Sequence, residues 1–375
     1  MSGGVDSSVA AALLVQQGYE VIGMMMRLWS EPDCDGDTPQ NRCCTPDQMA
    51  DARRVADHLN IPFYVVDVQD HFRQTIVQFF IDEHSLGRTP NPCIECNRQI
   101  RFTHLLNRAL ALDANYLATG HYARIRQTAA GYQLLKGIDE AKDQSYVLHM
   151  LGQTHLDHVL FPIGGYTKNE VRLLAQEFGL PVAQKQESQD LCFLGDGDYR
   201  RFLHEYAPRL NHPGPILNLR GQQLGEHNGL AFYTIGQRKG LGIAAPEPLF
   251  VLRKDAARNA LIVGTRAEAG QTELVARDVS WVAGKAPPAG TAVEIKIRYK
   301  ARPVPAAVIP LANERLHIQL TEPLLGLTAG QGAVFYQGEV CLGGGLIADA
   351  DDLQVIPTPA QKSAPDLLPE KEFSL

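Results

Sequence analysis

Two cysteines stand three positions apart in this chain, and a third lies far downstream. Cys93 and Cys96 form a C-x-x-C pair immediately before the basic stretch 98–101, and Cys192 would reach them only through folding. Thiolates are favoured next to cations, so the pair is placed where it can react. Two sulfurs acting together can carry a persulfide and then close a disulfide. The cysteines therefore indicate sulfur transfer.

The C-x-x-C spacing alone is also typical of half a zinc site, of a redox motif and of packed thiols. Tetrahedral zinc needs two further ligands, and the sequence has no second C-x-x-C or C-x-x-H. A zinc site is therefore less favoured than sulfur transfer. A 4Fe–4S cluster on Cys93, Cys96 and Cys192, with one open iron, remains an alternative. The other cysteines are interpreted as a core residue, Cys341, and as parts of a polar loop, Cys34, Cys43 and Cys44.

Residues 2–8, Ser-Gly-Gly-Val-Asp-Ser-Ser, lead directly into a predicted helix. Backbone N–H groups at the positive end of a helix dipole bind phosphate, and glycines permit close approach. The serines can donate hydroxyl hydrogen bonds, and Asp6 can help to hold Mg²⁺. No Gly-Lys-Ser/Thr follows, so this is not a Walker loop. A plain helix cap is the alternative, but the pattern resembles the SGGxDS pyrophosphatase loop of ATPases that adenylate a substrate.

The bulk composition excludes several classes of protein. The 375 residues favour two or three domains, and no apolar run approaches the roughly 20 residues that span a bilayer. Seven cysteines without a signal peptide indicate thiols in a reducing compartment, which predicts a cytoplasmic protein without membrane contact. A net charge of −7 argues against indiscriminate binding to polyanions, so any nucleic-acid contact must be focused.

Changes in residue composition and hydrophobic pattern along the chain predict three domains and a tail. Helices alternating with short apolar strands over residues 1–205 predict an α/β domain with a parallel sheet. Residues 206–282, which contain many glycines and prolines, predict a small linking domain. Alternating segments over 283–357 predict an antiparallel β-barrel, and residues 358–375 have the composition of a disordered tail.

The first domain is predicted to contain helices over 7–17, 46–59, 71–84, 103–112 and 167–178, and strands over 20–27, 63–68 and 116–119. Thr167 and Glu170 have the spacing of a capping box. Barrel strands are predicted over 292–299, 315–320 and 332–336. In folds of this kind a buried strand delivers the nucleotide loop, whereas here Met1 directly precedes it. We therefore expect a longer natural product that supplies the first strand.

Several further segments stand in an order typical of one family. They are Asn-Pro-Cys-x-x-Cys-Asn at 91–97, Ala-Thr-Gly-His-Tyr at 118–122, Lys-Asp-Gln-Ser-Tyr at 142–146, Gln-Asp-Leu-Cys-Phe at 189–193 and Thr-Ile-Gly-Gln-Arg-Lys-Gly at 234–240. Through these motifs, over nearly its whole length, the chain resembles the tRNA-specific 2-thiouridylase family. The resemblance implies a PP-loop ATPase domain of the adenine nucleotide alpha hydrolase type.

The resemblance also implies a role for each matching residue. Cys96 would be the nucleophile, Cys192 would carry the persulfide, and the two would form a transient disulfide. The ATP site would be lined by Met1, Ser2, Gly3, Gly4, Val5, Asp6, Ser7, Ser8, Met26 and Gly120. The target base would touch Asn91, Pro92 and Cys93, and tRNA would contact His121, Lys142, Asp143, Gln144, Arg298, Tyr299 and Gln331. No stable metal site of the protein is implied.

The implied activity is ATP-dependent 2-thiolation of the wobble uridine of tRNA, U34, by a tRNA-uridine 2-sulfurtransferase. ATP with Mg²⁺ would adenylate the C2 oxygen so that it leaves as AMP, and the Cys192 persulfide would attack directly or release sulfide. The partners would be the anticodon stem-loop and a persulfide sulfur carrier or cysteine desulfurase. The rival hypotheses are another adenylating synthetase of this loop class, and a non-enzymatic RNA-binding protein whose cysteines hold a metal.

Overall fold

The structure, a computed structural model, describes residues 1–31, 45–186, 191–288 and 290–349. Its first part is an α/β domain with parallel strand pairs, as predicted: Gly23–Arg27 with Phe63–Asp67, and Leu117–Ala118 with Val159–Leu160. The helices of this part are Val5–Gln16, Pro46–His58, Gln69–Phe72, Gln78–Ser85, Pro92–Glu95, Leu106–Leu110, Gln153–Leu156, Lys168–Glu177 and Tyr199–Tyr206. None of the helices in the described ranges is long and apolar enough to cross a membrane.

The predicted elements of the first domain are found, but with shorter strands. The strand expected over 20–27 begins at Gly23, and the one expected over 116–119 is only Leu117–Ala118. The capping box is confirmed, since Glu170 N donates to Thr167 Oγ1 at 3.3 Å and Thr167 N donates to the Glu170 carboxylate at 2.7 Å. Helix Lys168–Glu177 therefore starts at a well-defined residue.

Two helical segments differ from the prediction. The helix expected over 71–84 is interrupted by a π-helical turn, Arg73–Val77, and the helix expected to start at 103 already starts at Pro92. Asn91 caps this earlier start by accepting from Cys93 N at 3.1 Å, and proline suits the first helical position. The helix continues through a π-helix, Cys96–Leu105, into Leu106–Leu110. The C-x-x-C pair therefore lies within the helical stretch and not ahead of it.

The two parallel strand pairs are not hydrogen-bonded to each other in the described part of the chain. The Met1 amino group donates to the Met24 carbonyl in strand Gly23–Arg27. On the other side, Gly120, just after Leu117–Ala118, packs directly on the backbone of the nucleotide loop. The loop therefore contacts both pairs, and the expected additional strand stays a prediction.

A four-stranded sheet follows the last helix of the first part. Its order is Gln223–His227, Gly214–Asn218, Ala260–Gly264 and Phe250–Asp255, and only the central pairing is parallel. Ile216, Val251 and Leu261 point into an apolar cluster shared with Phe202 of the first part. The central sheet therefore completes a core that begins in the α/β domain.

The C-terminal part is a closed antiparallel barrel of six strands, which confirms the predicted barrel. Around the barrel the strands are Gly270–Trp281, Leu316–Leu325, Val304–Pro310, Ala292–Lys296, Gly332–Gln337 and Val340–Ile347. The last strand pairs back with the first, with Ala276 opposite Ile347, so the sheet closes on itself. Ile295, Ile318 and Phe335 are fully buried inside it.

A hairpin of the first domain extends the sheet of the barrel. Strands Ala123–Thr128 and Gly131–Lys136 pair with each other, and the second strand pairs with the barrel, with Leu134 opposite Cys341. Cys341 is buried, as predicted for a core residue, and burial raises the pKa of its thiol to about 12. Backbone hydrogen bonds therefore join the barrel to the α/β domain.

Candidate active site

The nucleotide loop runs into helix Val5–Gln16, whose N-terminus is open. No side chain caps the helix after Gly4, so its first-turn N–H groups are left for an incoming anion. Ser2 N donates to Ser7 Oγ at 3.1 Å, and the two serine hydroxyls lie 3.2 Å apart. Ser8 is buried and donates to Gly4 O at 2.8 Å. The loop offers N–H and hydroxyl donors, which suits the phosphates of a nucleotide.

Two glycines let other backbone segments approach this loop closely. Gly3 has a φ of +69°, and a Cβ there would lie 2.3 Å from the carbonyl oxygen of Gln48. A Cβ on Gly120 would lie 2.7 Å from Ser7 N. The structure thus brings Gly120, predicted for the ATP site, against the loop. Met26, also predicted there, lies in the strand whose Met24 carbonyl accepts from the Met1 amino group.

Asp6, the acidic residue of the loop, accepts two hydrogen bonds at Oδ1, from Lys168 Nζ at 2.6 Å and from Tyr122 Oη at 2.8 Å. Lys168 is buried and is the first residue of its helix, where a cation is unfavourable unless an anion lies nearby. Sequence reasoning did not single it out, although a lysine directly after the capping residue Thr167 was the signal. A carboxylate for Mg²⁺ and a lysine for phosphate charge fit a magnesium nucleotide.

Cys96 lies where helix Pro92–Glu95 passes into the ten-residue π-helix, a feature frequent at functional sites. Cys96 is 8% exposed, and Cys93, one turn earlier, is exposed. Behind them, Asn97 is buried and donates from Nδ2 to Val147 O at 2.9 Å. The irregular helix is therefore held firmly while it presents one thiol to solvent and one to the interior.

Cys192 is half-buried in a turn anchored by its neighbour Phe193. Phe193 is 1% exposed and packs against Phe72, Phe80 and Phe202, and Leu194 N donates to Leu191 O at 3.2 Å. The residues directly before this turn, 187–190, lie outside the described residues.

A buried ion pair holds the segment that follows Cys192. Glu31 is 5% exposed, and its carboxylate accepts from the Arg201 guanidinium at 2.7 and 2.9 Å. The same carboxylate accepts from Gly195 N at 2.8 Å. Because a two-bond arginine–carboxylate pair is strong and directional, the cysteine turn is tied to the segment beyond strand Gly23–Arg27.

The two cysteines predicted to react contact one apolar cluster. Cys96 belongs to the cluster that contains Phe193, and Cys192 packs against it together with Met24 and Met26. These methionines come from the strand that accepts from the Met1 amino group. The structure therefore brings two cysteines that are distant in sequence to one apolar cluster, which also contacts the strand next to Met1.

The described ranges contain no group of three His, Cys, Asp or Glu side chains placed to hold a metal ion. Cys93, Cys96 and Cys192, the alternative ligands for an iron–sulfur cluster, do not form such a group there. The polar-loop cysteines Cys34, Cys43 and Cys44 lie outside the described residues. The transient disulfide between Cys96 and Cys192 stays a prediction.

His121, predicted to help with tRNA, directly follows Gly120 at the loop. One ring nitrogen, Nδ1, lies 2.8 Å from Thr119 Oγ1, and the ring contacts the rings of Phe102 and Phe161. Burial holds the pKa of His121 well below its usual range. The imidazole is therefore neutral at pH 7 and can act only as a neutral donor or acceptor.

The predicted tRNA segment 142–144 lies between the loop and the barrel. Asp143 is 4% exposed, and its carboxylate accepts from Gly137 N at 3.1 Å and from Ser145 N at 3.0 Å. Gln144 Oε1 accepts from the backbone N of Tyr122 at 2.9 Å. Asp143 therefore shapes the backbone of this segment from within.

Three other predicted tRNA residues join parts of the chain. Arg298 donates from Nη2 to Ile235 O at 3.0 Å, which links the barrel to the central segment. Gln331 donates from Nε2 to Thr89 O at 2.7 Å, just ahead of the cysteine helix. Tyr299 Oη donates to the carbonyl oxygen of Lys142 at 3.4 Å. The predicted tRNA contacts thus coincide with joints between domains.

Comparison with known proteins covers nearly the whole described chain. Residues 1–196 match the family described as tRNA methyl transferase HUP domain, residues 200–265 its PRC-barrel domain, and residues 271–347 the aminomethyltransferase beta-barrel domain. Among solved structures, NMN synthetase from Francisella tularensis is 21% identical and covers 50% of this chain and 64% of its own. Its TM-score of 0.30 is too low to carry an argument.

Curated relatives match over most of the chain and most of their own length. The tRNA-specific 2-thiouridylase MnmA of Geotalea uraniireducens is 49% identical over 93% of this chain and 94% of its own. The protein of the same name from Magnetococcus marinus is 50% identical, covering 92% and 97%, and that from Roseiflexus castenholzii is 48% identical, covering 93% and 98%. Because identity at this level runs through all three parts, the chain belongs to the tRNA-specific 2-thiouridylase family.

Proposed function

We propose that this protein is a tRNA-uridine 2-sulfurtransferase that uses ATP to replace the C2 oxygen of the wobble uridine, U34, by sulfur. The observation that carries the proposal is the contact of Cys96 and Cys192 with one apolar cluster, on which Met24 of the strand next to Met1 also packs. The names of the full-length relatives support the substrate. Many adenylating enzymes use such a loop, and the two cysteines that share one apolar cluster favour sulfur transfer among them.

In the first step the C2 oxygen of the uridine attacks the α-phosphorus of ATP, and pyrophosphate leaves. The open N–H groups of helix Val5–Gln16 and the hydroxyls of Ser2 and Ser7 bind phosphate oxygens. Lys168, beside Asp6, offsets the charge that develops on pyrophosphate. Mg²⁺ that arrives with ATP supplies further charge stabilisation. The C2 oxygen, a poor leaving group before this step, can then depart as part of AMP.

In the second step the terminal sulfur of a Cys192 persulfide attacks C2, the C2–O bond breaks and AMP leaves. The Cys96 thiolate then attacks the Sγ atom of Cys192. The old sulfur–sulfur bond breaks, its outer sulfur stays on C2 as the thiocarbonyl, and a disulfide joins the two cysteines. The two cysteine thiols supply the two electrons, and a dithiol reductant restores them. The electron balance closes with cysteines alone, so the proposal includes no iron–sulfur cluster.

The RNA partner is the anticodon stem-loop of tRNA. A base must leave its stack to reach the site, which costs a few kcal/mol and is easiest in a single-stranded loop. Asn91, Pro92 and Cys93 form the start of the cysteine helix and contact the base, with Cys93 as the exposed member of the three. Lys142 and Tyr299 contact the RNA backbone at the joint with the barrel. A cytoplasmic persulfide carrier or cysteine desulfurase loads Cys192.

The test is anaerobic incubation with ATP, Mg²⁺, a persulfide donor and unmodified tRNA, followed by nucleoside mass analysis. We expect 2-thiouridine at position 34 and an equal amount of AMP. Formation of AMP without thiouridine would favour another adenylating synthetase. If neither AMP nor thiouridine formed, the proposal would be refuted. Metal-free and cluster-reconstituted protein are compared in the same assay, and we expect the metal-free protein to be fully active.

A further inference from the structure

Arg101 is a half-buried arginine of the π-helix Cys96–Leu105 that carries a charge without a carboxylate partner. Its neighbour Arg98 pairs with Glu95 at 3.6 Å, whereas no ion pair between described residues includes Arg101. We propose that Arg101 binds the α-phosphate of ATP and stays on AMP as AMP leaves. This inference rests on the proposed function and names a further catalytic residue for it.

One hydrogen bond fixes the Arg101 guanidinium. Its Nη1 donates to Asn97 Oδ1, four residues earlier in the same π-helix. Asn97 is 2% exposed, and its Nδ2 donates to Val147 O at 2.9 Å. Because both ends of this buried amide are occupied, Asn97 cannot turn freely and it orients the guanidinium. The remaining guanidinium N–H groups have no protein partner within the described ranges and can donate to a ligand.

The residue after Arg101 brings this helix against the nucleotide loop. The Phe102 ring contacts the His121 ring, with centroids 6.0 Å apart. His121 directly follows Gly120, on which a Cβ would lie only 2.7 Å from Ser7 N of the loop. A continuous series of contacts therefore runs from the cysteine helix to the phosphate donors.

The charge of Arg101 acts on groups at both sides of the loop. Burial lowers the pKa of the Met1 amino group to about 5, and the Arg101 cation adds to this effect. The same two causes, in the same order, hold the pKa of His121 well below its usual range. A cation that disfavours other cations at the loop favours an anion there. A bound phosphate would supply the negative charge that Arg101 lacks.

Two cations can then serve two parts of the nucleotide. Lys168 Nζ lies 2.6 Å from Asp6 and offsets the charge of pyrophosphate. Arg101 belongs instead to the helix of Cys96, and residues five apart are hydrogen-bonded neighbours in a π-helix. In the proposed reaction the cysteines act on C2 of the uridine, and the C2 oxygen is bonded to the α-phosphorus. The cation on the cysteine side is therefore the one suited to the α-phosphate.

A guanidinium suits both steps chemically. It stays charged and can donate in parallel to two oxygens of one phosphate. When the C2 oxygen attacks, negative charge grows on the α-phosphate oxygens, and a fixed cation stabilises it. When the C2–O bond breaks, its electron pair goes to the oxygen that leaves with AMP, and the same cation stabilises that charge. Arg101 thus acts without giving up a proton.

The test is the binding of AMP, which carries the α-phosphate alone, measured by calorimetry. In Arg101→Met we expect the affinity for AMP to fall about tenfold, because a charged hydrogen bond is lost. The affinity for adenosine, which has no phosphate, should stay unchanged. With ATP, Mg²⁺, a persulfide donor and tRNA, AMP formation should fall about a hundredfold. Arg101→Lys keeps the charge without the planar fork and should recover part of both losses.

Arg108→Met is the matched control, because Arg108 is an exposed arginine of the same helical stretch, in Leu106–Leu110. Its AMP affinity and AMP formation should equal those of the wild-type protein. If Arg101→Met does not fold by circular dichroism, Arg101→Gln, which keeps a donor for Asn97, is measured instead.

Unchanged AMP affinity in the Arg101 variant would overturn the inference. So would a wild-type protein that binds an ATP analogue but not AMP. A fall in the affinity for tRNA with unchanged AMP affinity would show that Arg101 binds an RNA phosphate, and would also overturn it. Failure of the wild-type protein to bind any adenine nucleotide would refute the proposed function itself. Normal thiolation by the variant would refute the role of Arg101 alone.

Discussion

The α/β domain and the barrel use their backbone in different ways. The six barrel strands close into one sheet around fully buried residues such as Ile295 and Phe335. In the α/β domain the parallel strands have two to five residues, and the helices pass through π-helical turns. A closed sheet satisfies its own hydrogen-bonding groups, whereas open helix ends leave donors for ligands. The barrel therefore provides a closed, buried core, whereas the α/β domain keeps open hydrogen-bond donors at the proposed site.

Substitution should affect thiolation most strongly at Cys192 in the α/β domain and not at all at Cys341 in the barrel. Cys192→Ser should lower thiolation at least about a thousandfold, because serine cannot carry a persulfide, while ATP binding persists. The control is Cys341→Ala in the seam between hairpin and barrel, which should cost about 1 kcal/mol of stability and leave thiolation intact. Nucleoside mass analysis and calorimetry provide the two readouts. A normal thiouridine yield from Cys192→Ser would show that Cys192 does not carry the persulfide.

The next effect concerns the barrel. Phe335 is fully buried and stacks on Trp281 with ring centroids 5.5 Å apart. Phe335→Ala should lower the free energy of unfolding by about 3–5 kcal/mol, because it leaves a cavity in a closed core. Urea unfolding followed by tryptophan fluorescence measures the loss, and Phe335→Leu should lose less than half as much. A loss below about 1 kcal/mol would show that packing around Phe335 contributes little to the stability of the barrel.

A third effect lies between the two regions, where the central sheet meets the α/β domain. Lys254 Nζ is buried near His84 and has no hydrogen-bond partner among the described residues. Burial lowers the pKa of Lys254 to about 7, from an ordinary value of 10.5. Below pH 7 the amine is charged in the folded and the unfolded state, and burying this charge destabilises the fold by its full amount. As the pH rises from 7 towards 10.5 the folded amine is neutral, and this loss of stability decreases to zero.

Lys254→Met should accordingly raise the free energy of unfolding by about 1–3 kcal/mol at pH 6, and the gain should vanish near pH 10.5. Urea titrations at the two pH values measure it, with the exposed Lys285→Met as a control that should change nothing. A gain that is the same at both pH values would mean that the methionine improves packing and that the buried charge is irrelevant.

A weaker effect should come from removing the cap of helix Lys168–Glu177. Thr167→Ala removes the hydroxyl that accepts from Glu170 N, and should cost about 1 kcal/mol of stability. Because the next residue, Lys168, contacts Asp6, the KM for ATP should rise about twofold to threefold as the helix start loosens. Thr167→Ser keeps the hydroxyl and should restore both values. An unchanged KM would show that the cap at Thr167 does not affect the nucleotide site.

Local patterns predicted the elements of the chain well and the contacts of its site less well. Sequence patterns predicted the capping box at Thr167, the loop ahead of helix Val5–Gln16 and the alternating barrel strands, because each depends on residues that are neighbours in the sequence. The helix start at Pro92 was missed although Asn-Pro is a capping pattern. The π-helical turns have no comparable local signal, since they depend on what the helix packs against.

The order of residues along the chain already supplies the reactive groups: a phosphate loop, a thiol pair, a distant third thiol and the series of motifs that implied the family. Which of these groups meet depends on how the chain folds. Lys168 contacts Asp6 across 162 positions, Lys185 contacts Gly3 across 182, and Asp143 turns inward instead of towards solvent. The reason is physical: a hydrogen bond or an apolar contact depends on distances of a few ångströms, and folding alone sets these between residues so far apart in the chain.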